Sequence, residues 1–314
     1  MDTISIVLPV YKGESTLEKT LGSLLAQTKK FDELIIIDDA SPDRSQEIIA
    51  DFLRGKFKYK LISHEKNLGL AKSYNDGIRK SRGNLVITLH QDVILDPDAL
   101  KNLTGPFKDK DVVAAGHWSV FPREIWEKFN FWQKCFFARF VGKELPGING
   151  QFDCFRRSAL EKAGLFDGVH FRSAGEDVDI VWKMKKLGEV VQTKAKLIHL
   201  QKIGSDFGPK EIIWKQKQHS EARGALLSLG RIREFSTVVK IFFREILVLA
   251  LFVPYLNIIS VICIVGYSFL YTGSVFISEY KNPRIFFLPF FNLYLLFLGF
   301  FYSFKGFCLK KQTI

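Results

Sequence analysis

Cysteine is scarce in this chain, and the spacing of its cysteines excludes two common classes of protein. The 314 residues contain four cysteines, and no two of them form a Cys-x-x-Cys pair. Structural zinc sites need closely spaced ligands, and disulfide-stapled secreted domains are dense in cysteine. The sequence therefore predicts neither class and favours a reducing, cytoplasmic environment for the part of the chain that folds in water.

Charge of either sign is absent from two long stretches near the C-terminus. Residues 246–271 and 285–304 contain no Asp, Glu, Lys or Arg. Each stretch reaches the roughly 20 residues that an α-helix needs to cross the hydrocarbon of a bilayer. The sequence therefore predicts a two-helix transmembrane anchor over residues 246–314, and hence a multi-pass membrane protein.

Positive charge is concentrated in the part of the chain that precedes these stretches. The formal net charge is +12, and only five of the 45 Lys and Arg residues follow Arg244. Such an excess suits phosphate-bearing substrates or an anionic membrane surface, so membrane lipid is an expected partner. No nucleic-acid recognition motif is present, so nucleic acid is not expected.

Residues 231–245 mix basic and apolar side chains, which predicts an interfacial amphipathic helix. The positive-inside rule places the domain that precedes this helix in the cytoplasm.

Short apolar strands alternate with amphipathic helices over the first hundred or so residues. The predicted strands are residues 4–8, 33–37, 59–63 and 85–89. Repeated βα units with short connections predict an α/β fold with a mostly parallel, Rossmann-like sheet and helices on both faces. In such sheets ligands bind beyond the carboxyl ends of the strands, so polar residues there are the candidates for a site.

Polar clusters follow the predicted strands. They are Pro9 to Glu14, Asp38-Asp39, Asn67 to Asn75 and His90-Gln91-Asp92, and later Asn149-Gly150, Glu176-Asp177 and His199. Taken singly, each cluster has an ordinary structural explanation, because an aspartate can open a turn or cap a helix, and acidic residues at a helix start offset the helix dipole. Their order and their common place at strand ends favour a functional site.

This series closely resembles that of the family 2 inverting glycosyltransferases, which have the GT-A fold, over roughly Ile4 to His199. The resemblance implies a glycosyltransferase domain over residues 1–230, with a nucleotide-binding half at 1–110 and an acceptor-binding half at 111–230. The implied reaction moves a sugar from a nucleotide-diphosphate donor to an acceptor hydroxyl or phosphate, with inversion at the anomeric carbon.

The resemblance also implies a set of nucleotide-sugar-binding residues. In the family, the end of the first strand and the paired aspartates after the second hold the base and ribose. The implied residues in this chain are Pro9, Tyr11, Glu14, Asp38, Asp39, Lys72 and Gln91.

A divalent cation, Mg²⁺ or Mn²⁺, is the expected cofactor. It would offset the charge that grows on the departing nucleoside diphosphate, and oxygen-rich ligands suit these hard ions. In the family an Asp-x-Asp after the fourth strand supplies the metal carboxylate, and here the pattern is His90-Gln91-Asp92. The resemblance implies that Asp92 and His199 bind the metal, although His199 could equally be a packed core residue. The role of His90 stays open, and Asn149 is a further possible site residue.

Inversion needs one general base to take the proton of the acceptor as it attacks. The family places a Glu-Asp pair at a helix start for this purpose, and the resemblance implies that Asp177 is the base and that Glu176 orients the acceptor.

The leading hypothesis is a membrane-anchored, metal-dependent, inverting hexosyl- or deoxyhexosyltransferase of polysaccharide biosynthesis. It would use a nucleotide-sugar donor and a lipid-linked or cell-envelope glycan acceptor at the cytoplasmic face of the membrane. A polyprenyl-phosphate sugar synthase is an alternative. The histidine in place of the first metal aspartate also leaves open a different class, a non-catalytic sugar-nucleotide-binding membrane protein.

Overall fold

The computed structural model describes residues 2–200 and 207–314. These residues divide into two compact units, one of residues 2–121 with 143–200 and one of residues 122–142 with 207–314. We refer to them as the sheet unit and the helical unit. The predicted domain boundaries near residues 230 and 245 stay predictions.

The strands and helices alternate along the sheet unit and then give way to helices alone. The strands are β1 (Ile4–Val10), β2 (Glu33–Asp38), β3 (Tyr59–Ser63), β4 (Leu85–Leu89), β5 (Val93–Leu95), β6 (Val112–Val120), β7 (Glu144–Gly147), β8 (Phe152–Arg156) and β9 (Glu189–His199). The helices are α1 (Leu17–Leu25), α2 (Ser45–Leu53), α3 (Leu70–Lys80), α4 (Ala99–Thr104), α5 (Arg123–Glu127), α6 (Phe131–Phe137), α7 (Arg157–Lys162), α8 (Glu176–Met184), α9 (Pro209–Ser228), α10 (Phe235–Ile241), α11 (Phe243–Ala250), α12 (Leu256–Leu270), α13 (Gly273–Ser278) and α14 (Leu288–Leu309).

The sheet is mixed, and the prediction of a mostly parallel sheet is wrong. The described strands run in the order β3-β2-β1-β4-β8-β6-β9-β5, with β7 paired to β6. The strands β3, β2, β1 and β4 are parallel neighbours, but β8 pairs antiparallel with both β4 and β6. The regular alternation of strand and helix that the sequence shows ends at β4. Beyond β4, whether two strands pair parallel or antiparallel depends on contacts between distant segments, and the hydropathy of the sequence does not predict that direction.

Helices cover both faces of the sheet, because alternate residues of the central strands point in opposite directions. In β1, Ile6 and Leu8 belong to one buried cluster, which also contains apolar residues of α1, α2 and α4. Val7 belongs to a second cluster, which contains apolar residues of α3, α7 and α8. The strand is buried on both sides, so its sequence is an unbroken apolar run.

In the helical unit, α9 packs against α14 through glycines. A side chain at Gly224 would overlap the backbone of Ser303, and one at Gly306 would overlap the backbone of Glu221. Small residues at such positions let two helix backbones approach closely, which is the usual way that apolar helices associate in membranes.

One helical stretch among the described residues, Pro283–Leu309, is long and apolar enough to cross a membrane. The predicted first span over residues 246–271 is instead interrupted: α11 ends at Ala250, and α12 has 15 residues. The break contains Pro254, which has no N–H for a helix bond, and Tyr255, whose φ is +68°. Both residues lie inside an apolar run, so the hydropathy of the sequence does not show that the helix breaks there. The predicted pair of membrane spans is therefore not confirmed.

Residues 231–245 do not form the single helix predicted from their composition. They contain α10 and the start of α11, which meet at Phe242. Their position in a membrane interface stays a prediction.

Candidate active site

The ends of β1, β2 and β4 bring the predicted donor-binding segments to one edge of the sheet. Val10 lies opposite Asp38 in the parallel pairing of β1 with β2, and Val7 lies opposite Thr88 in the pairing of β1 with β4. The residues that follow these strands therefore emerge side by side, as the carboxyl ends of parallel strands do.

The loop after β1 is held by the side chain of Gln91. The Gln91 Oε1 accepts a hydrogen bond from Tyr11 N at 2.9 Å, and its Nε2 donates to Tyr11 O at 2.7 Å. The amide thus shapes the loop and leaves Tyr11 40% exposed. Glu14 is exposed on the same loop, whereas Pro9 is buried within β1.

The two predicted aspartates after β2 make different contacts. Asp38 is buried and accepts hydrogen bonds from Gln46 Nε2 at 2.5 Å and from Ser41 N at 3.3 Å. Asp39 accepts from Leu68 N at 2.8 Å and Gly69 N at 2.9 Å. Both carboxylates therefore organise the protein's own loops at the predicted donor site.

A histidine and an arginine that sequence reasoning missed support the same region. His64 Nδ1 lies 2.7 Å from Asp39 Oδ1, and Arg172 Nη2 donates to the Asn67 side chain at 2.9 Å. Gly69 has a φ of +91°, and a Cβ there would lie 2.5 Å from Arg172 Cγ, so only glycine fits. Lys72 is exposed in the first turn of α3. The sequence carried no periodic signal for either His64 or Arg172.

His90, Asp92 and His199 form a cluster whose ligand atoms all lie within 4.8 Å of one another. His199 Nε2 is 3.2 Å from Asp92 Oδ2, and His90 Nδ1 is 4.0 Å from Asp92 Oδ1. The cluster exists because β5 pairs antiparallel with β9, which places Val93 opposite His199. Residues more than a hundred positions apart are thereby brought into contact.

The donor set of this cluster fits a divalent cation. The His90 nitrogen that faces Asp92 is Nδ1, and the other ring nitrogen, Nε2, is buried without a hydrogen-bond partner, although buried polar atoms normally have one. Burial lowers the pKa of His90 to about 4, so the imidazole is neutral at physiological pH, the form that binds metals. Two imidazoles and one carboxylate so close together would hold a divalent cation, which would supply positive charge at this edge of the sheet.

A buried polar network positions the loop beside His90. His117 Nδ1 is 3.0 Å from Asp153 Oδ1, and both side chains are fully buried. The other oxygen of Asp153 accepts from Asn149 N at 3.0 Å and Gly150 N at 2.6 Å. The predicted site residue Asn149 is thus held through its backbone. Asp153 was not predicted, although a charged residue inside an apolar strand is itself a signal, because burial demands a partner.

Glu176 and Asp177 begin α8, immediately after Gly175, whose φ is +92°. Glu176 is buried, and its Oε2 has no hydrogen-bond partner. Asp177 is partly exposed, and its Oδ1 accepts from Val178 N at 2.8 Å. Burial, together with the negative charge of Asp177, raises the pKa of Glu176. Partial burial, together with the negative charge of Asp153, raises the pKa of Asp177 to about 6.

Tyr74 is a buried phenol beside His90 and the Asn149-Gly150 loop. Its hydroxyl donates to Gly150 O at 2.8 Å, and its ring lies 6.5 Å from that of His90. Burial and the charges of Asp153, Glu176, Asp92 and Asp177 all raise the pKa of this phenol. Tyr74 thus packs beside His90, and the charges of Asp92, Glu176 and Asp177 act on its phenol.

Two staphylococcal synthases are similar to this chain in sequence. A poly-β-1,6-N-acetyl-D-glucosamine synthase of Staphylococcus epidermidis is 27% identical over 226 residues, covering 69% of this chain and 53% of the relative. A synthase of the same name from Staphylococcus aureus is 25% identical over 265 residues, covering 81% of this chain and 63% of the relative. The chain spans about half the length of the first of these relatives.

Solved structures resemble the chain in fold. The mannosyltransferase PcManGT of Pyrobaculum calidifontis, in complex with GDP-Man and Mn²⁺, matches with a TM-score of 0.59 at 15% identity, over 95% of this chain and 86% of the other. GalNAc-T7 with UDP, GalNAc and Mn²⁺ matches with a TM-score of 0.52 at 15% identity, over 77% of this chain and 54% of the other. At such identities the likeness concerns the fold alone, and it confirms the expected GT-A fold.

The family model for glycosyl transferase family 2 matches residues 5–164, about half of the chain. This range contains β1 to β8, the paired aspartates after β2 and the His90-Gln91-Asp92 segment. The chain therefore belongs to glycosyl transferase family 2.

Proposed function

We propose that this protein is a metal-dependent, inverting glycosyltransferase, anchored in the membrane, that moves a hexosyl or deoxyhexosyl group from a nucleotide-diphosphate donor. The acceptor would be a lipid-linked or cell-envelope glycan at the cytoplasmic face of the membrane. The observation that carries the proposal is the cluster of His90, Asp92 and His199, whose ligand atoms lie within 4.8 Å of one another, together with the acidic pair Glu176–Asp177 at the start of α8 in the same unit.

In this proposal, His90, Asp92 and His199 hold the divalent cation, which when bound supplies positive charge to the diphosphate of the donor. The mixed donor set of two imidazoles and one carboxylate suits Mn²⁺ better than Mg²⁺, because Mg²⁺ prefers oxygen ligands. The His90-Gln91-Asp92 segment is then a working variant of Asp-x-Asp rather than a broken site.

Asp177 serves as the general base. The acceptor oxygen forms a bond to the anomeric carbon while the bond from that carbon to the donor phosphate breaks, and the acceptor proton passes to the Asp177 carboxylate. The nucleoside diphosphate leaves with the electrons of the broken bond. A base whose pKa is raised toward neutrality accepts this proton more readily than an ordinary aspartate. Glu176, whose raised pKa favours the protonated form, can donate a hydrogen bond to orient the acceptor.

Membrane anchoring is supported by the apolar stretch Pro283–Leu309. The acceptor class is supported by the activity of the staphylococcal relatives, which are synthases of poly-β-1,6-N-acetyl-D-glucosamine. A polyprenyl phosphate remains the alternative acceptor, because the same apolar helix would bring the enzyme to either kind of lipid.

The test is a donor screen on the full-length chain in native membranes. UDP-, GDP- and dTDP-sugars are supplied with Mn²⁺, nucleotide release is measured, and lipid-extracted products are separated by size. We expect release with one nucleotide class and loss of that release in Asp177→Asn. A product with a single sugar on a lipid phosphate would favour the polyprenyl-phosphate synthase. Nucleotide-sugar binding with no release for any donor, in membranes that contain the native lipids, would support the non-catalytic alternative and overturn the proposal.

A further inference from the structure

Three arginines from separate segments of the helical unit lie close together, and the proposed transfer reaction uses none of them. Arg139 follows α6, Arg223 lies in α9 and Arg244 lies in α11. We refer to these three residues as the arginine cluster. Lys215 precedes Arg223 by eight residues, so the spacing of α9 puts one more cationic side chain on the same helix face.

Two tyrosines connect the members of the cluster. The Arg139 guanidinium lies over the Tyr271 ring at 5.6 Å, and the Tyr271 and Tyr267 rings are 5.1 Å apart. Arg244 Nη1 is 3.5 Å from the Tyr267 hydroxyl. A guanidinium on an aromatic face keeps its charge and its N–H groups available to a further partner.

Negative charge does not balance this cluster. Among the described residues, the acidic partner is Glu245, whose Oε1 lies 3.1 Å from Arg223 Nη2, whereas Arg139 and Arg244 have no ion pair there. Arg223 Nε is buried without a hydrogen-bond partner. Burial lowers the pKa of Arg223 to about 10, and the charges of Arg244 and Arg139 act in the same direction. Arg139 is exposed, whereas Arg223 and Arg244 are half-buried. Partly desolvated cations with little compensating negative charge are costly, and an anion that joins them lowers that cost.

The flank of the cluster is apolar and open. The helix α12, which carries Tyr267, leaves several large apolar side chains more than half exposed, namely Ile258, Ile259, Ile262, Phe269 and Leu270. Exposed apolar surface of this extent is stable only against lipid or another apolar surface. A ligand that is anionic at one end and hydrocarbon at the other matches both features.

We propose that the arginine cluster binds the phosphate of an anionic phospholipid headgroup, while the exposed side chains of α12 contact its acyl chains. The guanidinium groups offer forked N–H donors that match phosphate oxygens, and Arg223 Nε supplies a donor that the protein itself does not use. This inference goes beyond sugar transfer, because it concerns a lipid that is bound but not consumed.

The test uses the full-length chain purified in dodecyl maltoside micelles. Phosphatidylglycerol or phosphatidylcholine is titrated at equal mole fraction, inorganic phosphate is titrated separately, and bound lipid is counted by native mass spectrometry alongside the thermal midpoint. We expect saturable binding of phosphatidylglycerol, with an affinity at least about tenfold above that for phosphatidylcholine, about 1.4 kcal/mol.

Three variants decide the assignment. Arg139→Gln/Arg244→Gln should lose phosphatidylglycerol binding while keeping nucleotide-sugar binding, which separates this inference from the proposed reaction. Arg139→Lys/Arg244→Lys keeps the charge and should bind with intermediate affinity. The matched control Arg231→Gln/Arg233→Gln removes the same charge outside the cluster and should bind phosphatidylglycerol normally.

Three results would each overturn the assignment. They are equal binding of both phospholipids, an equal loss of phosphatidylglycerol binding in the control variant, and inorganic phosphate that binds as tightly as phosphatidylglycerol.

Discussion

At the scale of the residue, Asp177 is the side chain on which the proposed chemistry depends. Asp177→Asn keeps the shape but cannot accept a proton, so we expect kcat to fall by about 10²- to 10⁴-fold. The donor Kd should change by less than about twofold, because Asp177 is assigned to the acceptor side. Nucleotide release and isothermal titration measure the two quantities. The control Asp51→Asn, at an exposed residue paired with Arg54, should leave both unchanged, and a fully active Asp177→Asn would contradict the base assignment.

The pH dependence follows from the same carboxyl group. A base works only when deprotonated, and burial raises the pKa of Asp177 to about 6, so turnover should fall as the pH drops through about 6. An ordinary aspartate would stay active down to about pH 4. The measurement is kcat between pH 5 and 8 at saturating donor and Mn²⁺, with donor binding checked at each pH. A flat profile down to pH 5 would argue against a raised pKa.

Metal selectivity should depend on His90. We expect Mn²⁺ to support more turnover than Mg²⁺, because two of the three candidate ligands are imidazoles. His90→Asp restores a second carboxylate and should shift the Mn²⁺-to-Mg²⁺ affinity ratio toward Mg²⁺ by about tenfold, about 1.4 kcal/mol. Electron paramagnetic resonance of Mn²⁺, with Mg²⁺ as competitor, measures the ratio without relying on activity. Asp92→Ala should abolish the specific Mn²⁺ signal, and an unchanged signal would remove Asp92 from the site.

At the scale of the element, the contact between α9 and α14 depends on glycine. Gly306→Val would force a side chain into the backbone of Glu221, so we expect a loss of about 1–3 kcal/mol and a lower thermal midpoint in detergent. Gly266→Val is the matched control, since a Cβ at Gly266 in α12 meets no atom within 4 Å. Equal midpoints for the two variants would mean that the close approach of α9 and α14 contributes little to stability.

The periodicity of the sequence predicts some strands of the fold and misses others. The strands predicted at residues 59–63 and 85–89 match β3 and β4, because an apolar run between turn residues has few alternatives. The short β5 was not predicted, and its three residues carry too little pattern to distinguish a strand from a loop. Yet β5 is the element whose pairing with β9 brings His199 to Asp92.

At the scale of the whole molecule, the proposed anchor makes a prediction about fractionation. The helical stretch Pro283–Leu309 buries only 28% of its most apolar window within the protein, so a large apolar surface is left for lipid. We expect the full-length chain to stay in the membrane fraction through high salt and alkaline carbonate and to be released by detergent. Release by salt alone would mean that electrostatic attraction to anionic lipids, rather than α14, holds the protein to the membrane.

The sequence by itself determined the family, the GT-A class of fold and the order of the polar segments that follow the strands. These depend on local patterns, namely apolar runs, helical spacing and polar residues at strand ends, which are readable without knowing which distant segments meet. It also identified Asp177 and Asp92 as the carboxylates on which the proposed chemistry depends, through the resemblance to a family.

Only the tertiary structure decided which of those residues meet and what each contacts. Strand pairing brought His199 and His90 around Asp92, and it turned Gln91 and Asp39 toward the protein's own backbone. The tertiary structure also pairs Asp153 with His117 in the interior, and no sequence pattern predicted that pair. The physical reason is that burial, pKa and hydrogen bonding depend on neighbours that are far apart along the chain, and a linear pattern does not record them.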